Sequence, residues 1–181
     1  MATFTEIVQK TGKTDKNTSH TYGQWYDYWF APFQEKKVNV LEVGVCVFGG
    51  GCALSFAEYF YKGAVWAVDV DRSRCVSEVF EHPRITFVEA DAYSPEWLNH
   101  ISGLKFNIII DDASHEVDDQ FKLLGMLKPF LAKDGFYVIE DCCTCHWLPK
   151  LKDVWNMGLK HTIIDMATPT VYDNTLIRFE V

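Results

Sequence analysis

Two hydrophobic patterns alternate along the chain from residue 38 onward. Short β-branched and apolar runs at 38–43, 64–70, 85–88, 106–110 and 136–139 predict buried strands. Between them, residues 53–61, 73–80, 94 onward, 116–131 and 148–157 predict helices, with Ser73 as one cap and Ser94-Pro95 opening another. Two further strands, 161–166 and 176–181, have no helix between them and predict an antiparallel hairpin at a sheet edge. Strand–helix alternation of this kind predicts an α/β fold: a mostly parallel seven-stranded sheet with helices on both faces and an antiparallel C-terminal hairpin.

The first 37 residues follow a different pattern. Residues 3–10 predict a short helix and 11–21 a polar, turn-rich stretch. Residues 22–33 predict a helix with an aromatic stripe at 22, 26, 29, 30 and 33, leaving Trp25 and Tyr28 off the stripe. No linker or repeat divides the chain, so one domain over 1–181 is expected, with 1–37 as its N-terminal helical segment.

Composition narrows the class. Of 181 residues, 48% are apolar, enough for one sizeable core, and the net charge of −8 makes a nucleic-acid partner unlikely on charge grounds. The start lacks a basic-then-apolar leader, and the weakly polar run 43–57 is glycine-rich and short of the roughly 20 residues of a bilayer span. A cytoplasmic protein without membrane attachment is therefore expected, and its six cysteines are expected as free thiols. Cys142, Cys143, Cys145 and His146 are crowded into one loop without a second ligand pair, which argues against structural zinc.

In such sheets, ligands bind beyond the carboxyl ends of the strands, and here those ends are acidic. The first strand runs through Glu42 and Gly44 to a glycine triplet at 49–51. Its glycines allow close backbone approach, but Glu42 would repel a phosphate and suits a ligand carrying an ammonium group. Asp69 ends the second strand, where a carboxylate can accept from ribose hydroxyls. Asp91 and the Ala92 N–H end the third, where they can face an adenine. The alternative at each position is a helix cap or a solvated carboxylate. The fourth and fifth strands end in Asp111, Asp112 and Glu140, Asp141. Asp112, Glu140 and Asp141 together need a neutralising cation, and hard oxygen ligands suit Mg²⁺ or Mn²⁺. His115, three residues beyond Asp112, is a candidate general base.

The segments "TDKNTSHTYGQWYDYWFAPF", "VLEVGV" followed by "GGG", "VWAVDVD", "FNIIIDDASHEVDDQF", "LAKDGFYVIED" and "DNTLIRFEV" resemble class I S-adenosylmethionine-dependent methyltransferases. More narrowly, they resemble the metal-dependent macrolide sugar O-methyltransferases of the mycinamicin and macrocin type. The resemblance implies a Rossmann-like fold and S-adenosyl-L-methionine and Mg²⁺ (or Mn²⁺) as cofactors. It implies cofactor binding by Glu42, Gly44, Asp69 and Asp91, with Ala92 and Asp111 as further candidates beside them, and metal binding by Asp112, Glu140 and Asp141. It gives His115, beside Asp112, the catalytic role. The 1–37 segment, with Thr14, is expected to cover the cofactor site. Cys46 and the residues before the glycine triplet depart from the family pattern.

The expected function is O-methylation of a small hydroxylated, sugar-like acceptor. Because the chain is close to the bare fold, the acceptor site is expected to be open, completed by a partner subunit as in a homo-oligomer, or specialised for another acceptor. The rival readings are methylation of RNA or protein, and a non-catalytic cofactor-binding module serving a partner.

Overall fold

The structure is a computed structural model that describes residues 1–12 and 14–181. Seven strands form one sheet: β1 (Asn39–Val43), β2 (Ala64–Asp69), β3 (Ile85–Glu89), β4 (Phe106–Asp111), β5 (Leu131–Ile139), β6 (Lys160–Asp165) and β7 (Thr175–Glu180). Their order is β3-β2-β1-β4-β5-β7-β6. The first five pair in parallel, while β7 is antiparallel to both β5 and β6. The expected edge hairpin is present, with β7 inserted between β5 and the edge strand β6. The chain reverses direction on either side of β1, so β1 and β4 flank the switch point where ligands of such sheets bind.

Helices α1 (Phe4–Thr11), α2 (Gly23–Phe30) and α3 (Gly51–Tyr59) cover one face. Thr3 caps α1 through Glu6 N, and Glu6 returns a bond to Thr3 N. The aromatic stripe of α2 is largely buried, with Tyr22, Tyr26, Trp29 and Phe30 packed against Phe4, Phe56 and Phe136. Trp25 is partly buried, whereas Tyr28 is 73% exposed. The other face carries α5 (Val117–Leu127), α6 (Thr144–Trp147) and α7 (Leu151–Asn156). Helix α4 (Ser77–Glu81) packs near β3.

Strand alternation decides which chemistry faces which layer. Val40, Ile108, Ile110 and Val138 join the core under α1–α3, whereas Leu41, Val43, Ile109 and Ile139 join the opposite core. By the same period of two, Glu42 and Glu140 face the N-terminal helices and Asp111 faces away.

Several boundaries differ from the sequence expectation. The helix expected at 73–80 begins later, because Asp71 accepts from Ser73 N at 3.0 Å and closes a 3₁₀ turn over Arg72–Arg74 first. The strand expected at 136–139 is longer: β5 begins at Leu131, with a register irregularity opposite Phe106 and Ile108. The stretch from Ser94 forms a 3₁₀ helix, Pro95–Ile101.

Candidate active site

The carboxyl ends of β1, β2, β4 and β5 are tied side by side by their backbones. Gly44 N donates to Val68 O at 2.8 Å, Asp112 N to Val43 O at 2.9 Å and Glu140 N to Asp111 O at 3.0 Å. Gly44 has φ +87°, and a Cβ there would lie 2.0 Å from Asp112 O. Only glycine fits this crossing. His115 and Asp141 adopt φ of 60° and 53°, a left-handed conformation that costs a non-glycine residue about 1–3 kcal/mol and collects at functional sites.

Two cavities open on these strand ends. One, of about 280 Å³, is lined by Gly44, Asp69, Asp91, Ala92, Tyr93 and Asp112, among others. Asp69 is braced at its mouth, accepting from Cys46 N at 2.8 Å and from Asp71 N at 3.0 Å. Asp91 accepts from Tyr93 N at 2.9 Å. The second cavity, of about 70 Å³, is lined by Thr14, Asp15, Glu42, Gly44, Asp112, His115 and Asp141 among others. Gly44, Val47, Asp112 and Ala113 line both, so the cavities adjoin.

Glu42 is fully buried, and neither of its carboxylate oxygens has a hydrogen-bond partner among the described residues. Burial pushes its pKa up to about 7, although Lys16 pulls the other way. A buried carboxylate without a hydrogen bond, lining a cavity with Lys16 Nζ 3.9 Å away, fits a ligand ammonium group, and the glycine crossing beside it leaves room for backbone contact.

The acidic centre is held by the N-terminal segment. Lys16 is 1% exposed, and its Nζ donates to Asp112 Oδ2 at 2.7 Å and to Glu140 Oε2 at 2.5 Å. The same Nζ lies 3.9 Å from Glu42 Oε1. Burial lowers the lysine pKa, but its acidic neighbours outweigh this and hold it well above the ordinary value. The Tyr22 hydroxyl donates to Asp141 Oδ1 at 2.5 Å, and Tyr26 donates to Glu140 Oε1. Burial pushes Asp112 up, but Lys16 and His115 overcome it and hold the group below the usual carboxylate range. Burial raises both Glu140 and Asp141.

Each sequence-predicted residue can now be placed. Gly44, Asp69, Asp91 and Ala92 line the larger cavity, and Thr14 and Glu42 the smaller. Asp112, His115 and Asp141 present donor atoms within 4.8 Å of one another, a geometry that fits a divalent cation. Glu140 faces Lys16 and Tyr26 instead and stands outside that group. Asp111 lines neither cavity; it is fully buried and accepts from Tyr137 OH at 2.9 Å. Lys16, His20, Tyr22 and Tyr26 were not singled out from the sequence as partners of this centre. Their contacts span more than 100 residues for most pairs, and no local pattern encodes them.

One sequence expectation is corrected. Cys46 and Cys75 are not free thiols but form a disulfide with a Cα–Cα distance of 4.9 Å. The turn before α4 brings Cys75 against the glycine loop, where Gly49 O accepts from Val76 N. Cys52, Cys142, Cys143 and Cys145 remain free.

No family model matches the chain. Individual proteins do match. The 8-demethyl-8-alpha-L-rhamnosyl tetracenomycin-C 2'-O-methyltransferase of Streptomyces olivaceus is 35% identical over 142 residues, 74% of this chain and 36% of its own length. The demethylmacrocin O-methyltransferase of Streptomyces fradiae is 29% identical over 81% of this chain and 40% of its own length.

The chain belongs to the family of these sugar O-methyltransferases. This methyltransferase-like chain thus spans about two fifths or less of the curated relatives it matches. Among solved structures, the mycinamycin-pathway methyltransferase MycE, in complex with Mg and SAH, superimposes with a TM-score of 0.76 at 23% identity. That match covers 99% of the methyltransferase-like chain and 54% of MycE, and it establishes the fold. Aeropyrum pernix fibrillarin, with natively bound S-adenosyl-L-methionine, has a TM-score of 0.66 at 14% identity and shares the fold. Among the described residues, no helix is long and apolar enough to cross a membrane.

Proposed function

We propose that this chain is an S-adenosylmethionine-dependent O-methyltransferase acting on a hydroxyl of a small, sugar-like acceptor, and that it uses Mg²⁺ or Mn²⁺. One observation carries the proposal: the cavity lined by Gly44, Asp69, Asp91 and Ala92 adjoins the acidic cavity of Glu42, Asp112, His115 and Asp141. The first has the lining for an adenosine, the second the buried Glu42 carboxylate for an amino-acid ammonium. Asp112 lies where the two meet, and Asp141 and the base His115 line the second.

In this reading, Asp69 and Asp91 hold the ribose and the adenine, and Ala92 N–H contributes beside them. Glu42 takes the ammonium group, and Gly44 lets backbone approach. Thr14 and the 1–37 segment cover the cofactor. S-adenosylmethionine supplies the methyl group, and the divalent cation supplies Lewis acidity toward the acceptor oxygen. Asp112 and Asp141 would hold that cation, with Glu140 completing the acidic field behind them. His115 takes the proton of the acceptor hydroxyl at an imidazole nitrogen. Holding acceptor and methyl donor in line accounts for much of the rate.

The curated relatives favour a glycosylated acceptor, since their names assign methylation of tetracenomycin- and macrolide-linked sugars to them. Methyl transfer from labelled S-adenosylmethionine to a panel of rhamnosylated and other glycosylated compounds, with Mg²⁺ present, tests the proposal. Labelled sugar is the expected product. Transfer to bulk RNA or protein and to none of the small acceptors would overturn the acceptor assignment.

A further inference from the structure

Three carboxylates at the carboxyl ends of three different strands converge on one ammonium. Lys16 Nζ bonds Asp112 at 2.7 Å and Glu140 at 2.5 Å, with Glu42 at 3.9 Å, and the lysine is 1% exposed. Asp112 is at the same time a member of the donor group that fits a divalent cation. One carboxylate cannot give its field fully to both, and an ammonium held within bonding distance repels an incoming cation in a site largely closed to water. Mg²⁺ also demands near-octahedral oxygen geometry and keeps several waters. The Lys16 ammonium, already seated between Asp112 and Glu140, stands against both requirements.

The lysine is delivered by a turn able to let it go. Residues 15–22 are closed on themselves, with Thr18 N and His20 N donating to Asp15 O and Tyr22 N to Lys16 O. Farther along, Tyr22 and Tyr26 anchor the segment independently, on Asp141 and Glu140. The flexible stem of Lys16 can therefore withdraw while the tyrosines keep the segment docked. The turn also lines the cavity beside Glu42 through Thr14 and Asp15, so its state is felt there.

We propose that Lys16 is a built-in counter-ion that competes with the divalent cation for Asp112, and that metal entry displaces its ammonium from that carboxylate. This inference rests on the metal reading above and deepens it. It assigns Lys16 the control of metal access rather than contact with substrate.

The test compares Mg²⁺ binding by calorimetry in the wild type, in Lys16→Met and in the core variant Leu124→Ala, a destabilised control remote from the site. Lys16→Met is expected to bind Mg²⁺ more tightly by about tenfold or more, the scale of removing one close like charge. Mg²⁺ should raise its melting temperature further than that of wild type or Leu124→Ala. A second measurement needs no variant: acylation of wild-type amines with an N-hydroxysuccinimide ester, read peptide by peptide. Lys16 should be protected without metal and labelled faster at saturating Mg²⁺. Unchanged or weaker Mg²⁺ binding by folded Lys16→Met overturns the inference, as does unchanged Lys16 labelling while Mg²⁺ demonstrably binds; in both cases the metal reading survives. Should none of the three proteins bind Mg²⁺, the metal reading and the inference fall together. S-adenosylhomocysteine binding then reports separately on the cofactor reading.

Discussion

His115 Nε2 lies 3.2 Å from Asp112 Oδ1, and its Nδ1 lies 3.6 Å from Asp141 Oδ2. The hydrogen bond to Asp112 and the nearby carboxylates outweigh burial and push the imidazole pKa up to about 9. A base must be neutral to accept a proton, so turnover is expected to rise with pH toward that value. A bound cation would oppose the carboxylates and shift the rise to lower pH. His115→Gln should lower turnover by about 10²–10⁴-fold and flatten this limb, with cofactor affinity retained. Wild-type turnover in folded His115→Gln would remove the base assignment. The stability gained from this pairing is complete below the ordinary histidine value of about 6.5 and lost as pH rises through the folded value.

Glu42 makes a prediction of the same sign in a lower pH window. Burial pushes its pKa from 4.5 to about 7. Between those values the folded chain keeps a proton that the unfolded chain has released, so stability falls as pH rises across the window. Asp111, also raised by burial to about 7, contributes the same sign. Thermal melts from about pH 4.5 to 7.5 should show the decline, and Glu42→Gln should remove part of it. Cofactor affinity should strengthen as pH rises through 7, because the ionised carboxylate is the form that pairs with an ammonium. The Gln variant should lose that dependence. An unchanged slope in both measurements would show that Glu42 ionises freely.

Asp112 and Asp141 predict a metal response. Mg²⁺ or Mn²⁺ should raise the melting temperature by mass action on the folded state, and a chelator should reverse it. Asp141→Asn keeps an acceptor for Tyr22 but halves the formal charge of the two-carboxylate pair, and it should shrink the shift. A melting temperature indifferent to both metals would contradict the assignment.

The Cys46–Cys75 bridge predicts a thiol count. Unfolded, unreduced chain should titrate four thiols, those of Cys52, Cys142, Cys143 and Cys145, and six only after reduction. Six without reduction would mean that the glycine loop is not tied to the segment following β2.

The sheet was legible because β1, β4 and the 135–139 part of β5 are mostly apolar runs buried on both faces, a pattern that few other structures share. The strand-end chemistry was legible in kind for the same reason: Asp69, Asp91 and Asp112 sit where such strands stop. Orientation was only partly used. Counting by twos from Ile109 would have turned Asp111 toward Tyr137 and away from the cavities. Lys16 lay beyond reach, because nothing in a polar turn announces that its lysine will be buried among carboxylates 26 to 124 residues away in sequence. The disulfide was hidden likewise, since free thiols are the ordinary expectation for such a chain and the approach of Cys75 to Cys46 depends on where the Asp71 turn directs the backbone.

The central claim is that the cleft lined by Gly44, Asp69 and Asp91 binds the methyl donor, and titration calorimetry with S-adenosylhomocysteine tests it most directly. Wild-type protein should bind one equivalent, and NAD should not bind. Asp69→Ala should weaken binding by about 1–3 kcal/mol, the scale of charge-assisted hydrogen bonds to ribose. Folded wild-type protein that takes up neither S-adenosylhomocysteine nor S-adenosylmethionine would contradict the account.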